Sequence, residues 1–202
     1  KTASSFKLSN FLIYVLLANI CDVMPLRKIN KIIASNVLRD FRLKDNFAIN
    51  FIFNQLGINK KLTIDDLGYL ICPIINSGGR LGYSNYGTEL LSSDNPIIIK
   101  KNFINLIKLN ERRKRIEKNI LNEINFKKIK KENKNIIVYY NSKINEGLIG
   151  IIAARLTEYF NKPSFVLTDS NKIIKGSARS TPYYNIGNLM KLLIDKRIII
   201  SG

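Results

Sequence analysis

The sequence predicts an α/β chain: a mostly helical first half, a long connecting helix, and a small α/β domain around one sheet. Three observations point there. Apolar residues before about residue 95 recur at helical spacing between polar turns. A start signal at Ser93-Asp94-Asn95-Pro96 then opens a stretch to about residue 132 with no Gly and no further Pro. Beyond it the period turns β-rich. The boundaries that follow are 1–95, 96–133 and 134–202.

The chain has 202 residues, of which 46% are apolar and 24% charged, a composition that can bury a core. The longest apolar run, 11–18, is far short of the roughly 20 residues that span a bilayer. It reads as core. Over 28–41, Ile29, Ile32, Ile33, Val37, Leu38 and Phe41 fall on one helical face. In the long stretch, Asp94 or Asn95 can cap the first free amides and Pro96 suits the first turn. Ile99, Phe103, Leu106, Ile107, Ile116, Ile120 and Ile124 continue the stripe. One uninterrupted helix there would reach about 54 Å, longer than a small domain is wide.

The last part reads as strand, helix, strand, strand, helix. The strands are 136–140, 164–168 and one starting at 172; the helices are 146–160 and 186–194. That order describes a sheet covered by helices. The chain starts without Met and stops straight after an apolar, strand-like run, so both ends are expected to be cuts in a longer chain.

Basic side chains number 33 against 15 acidic, a formal charge of +18, which points to a polyanion. Residues 100–134 hold 13 basic and 4 acidic side chains, half of the whole excess. The Arg112-Arg113-Lys114-Arg115 run covers more than one helix side, so a solvated face explains it as well as phosphate contact does. With no His, a Ser-His-Asp triad, a Cys-His pair and imidazole metal ligands are all excluded. Cys21 and Cys72 lie far apart in apolar stretches and read as buried free thiols of a reducing, cytoplasmic compartment.

Four segments could carry chemistry. Asp22, inside an apolar segment, is a helix cap or a metal ligand, and spacing alone favours the cap. Asn76-Ser77-Gly78-Gly79-Arg80-Leu81-Gly82 reads as a loop, either a plain connection or a phosphate cradle with Arg80 as bidentate partner. It lacks the Gly-Lys-Ser/Thr ending of a Walker loop. Lys175-Gly176-Ser177-Ala178-Arg179-Ser180 is a basic strand end or an anion pocket: Gly176 permits close approach, Ser177 donates and Arg179 clamps two oxygens. The small residues of 147–156 favour close packing of a helix on a sheet.

Taken in order, the stretches 21–26, 74–81, 110–117, 147–156 and 175–180 resemble the RecJ family of single-strand-specific 5′-to-3′ DNA exonucleases, within the DHH phosphoesterase superfamily. The resemblance implies the second half of a DHH domain, a connecting helix and most of the DHH-associated, nucleic-acid-binding domain. It implies metal-dependent phosphodiester hydrolysis, an exodeoxyribonuclease activity of DNA recombination and repair. It makes Asp22 the last acidic ligand of a catalytic Mn2+ or Mg2+ site, reversing the cap-first order. Ser177 and Arg179 then hold the 5′ phosphate, Asn76 and Arg80 line the entrance for a single strand, and Lys175 and Gly176 contact nucleic acid. The partner is single-stranded DNA and no membrane, with the chain a monomer completed by a separate N-terminal part. The family's Asp and Asp-His-His metal motifs would precede Lys1, so the chain alone is expected to be inactive. Ile74 stands where the family carries Arg, and Asn145 where it carries His. The alternatives are a phosphodiesterase of short oligonucleotides or cyclic dinucleotides in the same superfamily, and a non-catalytic nucleic-acid-binding remnant.

Overall fold

The computed structural model describes residues 11–201. The apolar run forms α1 (Leu12–Cys21), which buries Ile13, Leu16 and Leu17. It ends at Asp22, whose N–H donates to the Ala18 carbonyl at 2.9 Å, and Val23 follows at φ +54°. Helix α2 (Ile29–Asp40) buries Ala34 and Val37, and an extended Phe41 stops it. Helix α3 (Phe47–Gln55) is capped by Asn46, whose Oδ1 accepts from the Ile49 N–H at 2.9 Å. The buried Asn46 also donates to the Tyr14 hydroxyl, which donates to the Leu91 carbonyl.

A π-helical segment, Asp66–Ile71, leads into α4 (Cys72–Arg80). Pro73 has no N–H to close an α turn onto residue 69, and the backbone widens just before it. Helices α5 (Asn85–Ser92) and α6 (Pro96–Glu123) follow. Ile49, Ile52, Phe53, Leu67, Ile71, Leu90, Ile99 and Leu106 form the centre of this core.

The start of the π segment is fixed by a buried carboxylate. Asp66 Oδ2 accepts from the Thr63 amide at 3.0 Å and the Thr63 hydroxyl at 2.6 Å, while Lys60 lies 2.9 Å from Oδ1. Burial pushes the Asp66 carboxyl up, but these donors outweigh it and hold it below the usual range. A lowered folded value adds stability above the unfolded pKa of about 3.9, lost as the pH falls through the folded value. Asp66→Asn is therefore expected to lower stability at pH 7 by about 1–2 kcal/mol. Urea midpoints of the two proteins should draw together as the pH falls below about 3.9; a gap that stays constant throughout the acid range would refute the coupling.

The stretch expected as one helix over 96–133 is two. Helix α6 is 28 residues long, about 42 Å, and α7 (Phe126–Glu132) restarts after a break at Ile124 and Asn125. No Gly or Pro marks the break; Asn125 makes it, its Oδ1 accepting from the Lys128 N–H at 2.8 Å. The chain divides into two units between Glu111 and Arg112, inside α6.

The second unit has the expected order: β1 (Ile137–Tyr140), α8 (Glu146–Phe160), β2 (Ser164–Ser170), β3 (Ile173–Arg179) and α9 (Ile186–Asp195). Strand order is β1-β2-β3. β1 and β2 are parallel, with Ile137 opposite Ser164, and α8 makes the crossover such a pair needs. β2 and β3 are antiparallel, and Asn171 and Lys172, at φ +52° and +65°, form the two-residue turn between them. Leu148, Ile149, Ile152, Ala153 and Leu156 of α8 are buried, as is Val166. No helix among the described residues is long and apolar enough to cross a membrane.

Candidate functional site

In the first unit, Asp22, Asn76 and Arg80 line one cleft of about 990 Å³. Asn76 and Arg80 stand four residues apart, on one face of α4. The glycine-rich segment expected as a loop is mostly helix, and its other face explains why. Ser77 is buried and donates to the Ile74 carbonyl at 2.6 Å and the Leu106 carbonyl of α6 at 3.1 Å. A Cβ on Gly78 would stand 2.6 Å from the Tyr83 carbonyl oxygen and 3.0 Å from Leu106 Cδ2. Gly78 is thus a packing residue, and only Gly82, at φ +85°, needs glycine for its turn. Ile74 is buried in the core.

Asp22 is not embedded in apolar surroundings as its sequence context suggested. It stands exposed at the end of α1, and its carboxylate has no hydrogen bond or ion pair among the described residues. Among those residues, no three His, Cys, Asp or Glu side chains gather to hold a metal ion. One carboxylate does not make a divalent-metal centre.

The cysteines, 51 positions apart, prove to be neighbours. Cys72 Sγ lies 3.9 Å from the carbonyl oxygen of Leu17, one turn before Cys21 on α1, with Cys72 buried and Cys21 half-buried in the cleft wall. Interaction with the Cys72 thiol holds the Cys21 thiol below its ordinary value, against burial and the Asp22 charge. Its counterpart, aided by burial, pushes Cys72 up.

In the second unit, Lys175, Ser177 and Arg179 alternate along β3 and share the face toward α8. Gly150 makes the room: a Cβ there would lie 3.1 Å from Ser177 Oγ and 3.2 Å from Arg179 Nη2. Arg179 Nη1 donates to the Ala178 carbonyl at 2.9 Å. Lys175 Nζ lies 2.7 Å from Glu146 Oε2, which also accepts from Ser170 Oγ. Lys175, then Ser170, hold the Glu146 carboxyl below its usual range. Gly176 is on the opposite face, opposite Leu167, where a Cβ would come 2.6 Å from Leu167 Cδ2. Asn145 caps α8, its Oδ1 accepting from the Gly147 N–H at 2.9 Å.

Sequence reasoning missed Glu117. This buried carboxylate of α6 accepts from Arg155 Nε at 2.9 Å and Arg113 Nη1 at 3.3 Å, and Arg155 also reaches Glu158 at 3.0 Å. Two of the family-like stretches, 110–117 and 147–156, therefore meet in one ion cluster. The acid within a basic run was the available signal.

No protein-family model matches the chain. The single-stranded-DNA-specific exonuclease RecJ of Haemophilus influenzae is 32% identical over 174 residues, which cover 82% of this chain and 30% of that protein. The crystal structure of Thermus thermophilus RecJ in complex with Mg2+ superposes with a TM-score of 0.76 at 22% identity, over 93% of this chain and 29% of that one. A crystal structure of exonuclease RecJ bound to manganese gives a TM-score of 0.68 at 21% identity, over 91% of this chain and 46% of that one. The chain spans about three tenths of the length of the curated relative it matches. In sequence and in fold, it resembles one continuous part of the RecJ exonucleases.

Proposed function

We propose that this chain is the strand-gripping part of a RecJ-type single-stranded-DNA exonuclease, with β3 holding the 5′ phosphate. The observation that carries the reading is the shared β3 face, where Ser177 and Arg179 stand over the bare Cα of Gly150. A serine hydroxyl and a planar guanidinium suit phosphate oxygens, and the missing side chain leaves them room. Lys175 adds charge that Glu146 partly offsets. Asn76 and Arg80, along the first unit's cleft, supply donors that suit a strand backbone. The net charge of +18 favours a long polyanion over a dinucleotide.

A complete RecJ-type enzyme of this kind uses Mn2+ or Mg2+. Here Asp22 offers a single carboxylate, so the donor set does not fit a whole metal centre and no chemical step is assigned to this chain. Its residues bind and position the strand.

The test is binding to a 5′-phosphorylated single strand and its 5′-hydroxyl twin, in chelator at moderate salt. The phosphorylated strand is expected to bind about 10- to 100-fold more tightly, the worth of a charged hydrogen-bond pair. Arg179→Ala should erase that difference while leaving the 5′-hydroxyl strand's affinity nearly unchanged. Equal binding of both ends, fading together with salt, would leave only a basic surface. Metal-dependent digestion by the pure chain would refute the division of labour.

A further inference from the structure

The chain's only two cysteines meet where two helices meet: Cys21 is the last residue of α1 and Cys72 the first of α4. Leu17 and Cys21 are one turn apart on the same face of α1, and Cys72 Sγ lies 3.9 Å from the Leu17 carbonyl oxygen. Each thiol is the strongest influence on the other's protonation, which agrees with that contact. A disulfide needs Cβ atoms about 3.5–4.5 Å apart, and at that spacing rotation about each Cα–Cβ bond swings the two sulfurs together. Cys21, on the cleft wall, is open to a small solute, whereas Cys72 is buried directly behind it.

We propose that Cys21 and Cys72 are a redox pair that closes a reversible intrachain disulfide, stapling the end of α1 to the start of α4. A low-molecular-weight disulfide such as glutathione disulfide is the oxidant. Cys21 sulfur attacks it, forming a mixed disulfide and releasing one glutathione thiolate. Cys72 sulfur then attacks the Cys21 sulfur and releases the second. Two protons leave the protein thiols, and the two electrons end on the two glutathiones. The staple ties the helix end that carries Asp22 to the helix that carries Asn76 and Arg80, so oxidation acts on the walls of the cleft. In a reducing compartment such a bond is transient, as redox-sensing disulfides are. The proposal does not depend on the DNA-binding reading.

The experiment uses the whole chain, incubated with glutathione disulfide, alkylated and digested with trypsin without reductant. Cleavage isolates Cys21 in peptide 8–27 and Cys72 in peptide 62–80. The expected product is these two joined, about 2 Da lighter than their sum, with loss of both titratable thiols and return of both on adding dithiothreitol. Cys72→Ser should stop at a single glutathione adduct on Cys21, and wild-type protein carries the test whether or not that variant folds. Two thiols still free after denaturation, glutathione adducts without joined peptides, or disulfides only between chains would each overturn the proposal.

Discussion

Glu117→Ala is expected to destabilise the second unit by about 2–3 kcal/mol, one of the two largest losses expected of a single substitution here. The Glu117 side chain is only 10% exposed, and it faces an Arg113 that is 15% exposed and an Arg155 that is 52% exposed. Removing it strands Arg113, whose Nε already lacks a hydrogen-bond partner. A buried charge without its partner costs more than the pair was worth. Solvent around Arg155 screens the second half of the cluster and keeps the figure below that of a fully buried triad. Glu117→Gln, which keeps the shape and loses the charge, should cost about half as much. Urea denaturation followed by circular dichroism measures both, and a loss under about 0.5 kcal/mol for the alanine variant would show the cluster to be ornamental.

Gly78→Ala should cost about as much, for a steric reason. One methyl group placed 2.6 Å from the Tyr83 carbonyl oxygen meets backbone that cannot rotate aside, with Leu106 close behind. We expect a loss of about 2–3 kcal/mol and a displaced α4, which would weaken any ligand gripped by Asn76 and Arg80. The neighbouring glycine is the control. Gly79 is helical, exposed and has open space where a Cβ would go, so Gly79→Ala should stabilise by about 0.5–1 kcal/mol. Equal effects at the two positions would refute the packing argument.

Local period was the legible part of this sequence. The helix over 146–160 and the strand starting at 164 appear at the positions their spacing predicts, and the basic strand end read at 175–180 falls almost wholly within β3. Asp22, Asn76 and Arg80, picked from separate segments, line one cleft. What spacing could not carry is set by tertiary contact. Glycines at 78 and 79 read as a loop because nothing local shows that Ser77 and Gly78 pack against α6. The break at Asn125 uses a residue common inside polar helices, so composition hid it. Cys21 and Cys72 seemed unrelated because a separation of 51 positions says nothing of two helix ends meeting. The apolar context of Asp22 suggested burial, yet the residue stands just past the end of its helix and faces solvent.

The widened turn at Asp66–Ile71 also bears on how the chain tolerates changes in length. A π turn holds one residue more than the α turn it replaces, and it does so without rotating the helix on either side. Deleting one of the exposed residues Tyr69 or Leu70 can therefore leave Asn76 and Arg80 facing the cleft, at the cost of crowding Pro73 against the carbonyl four residues before it. The same deletion inside α4 would swing every later side chain by about 100° and turn Arg80 away. Here the chain can lose a residue ahead of Pro73 and keep its cleft, but not after it.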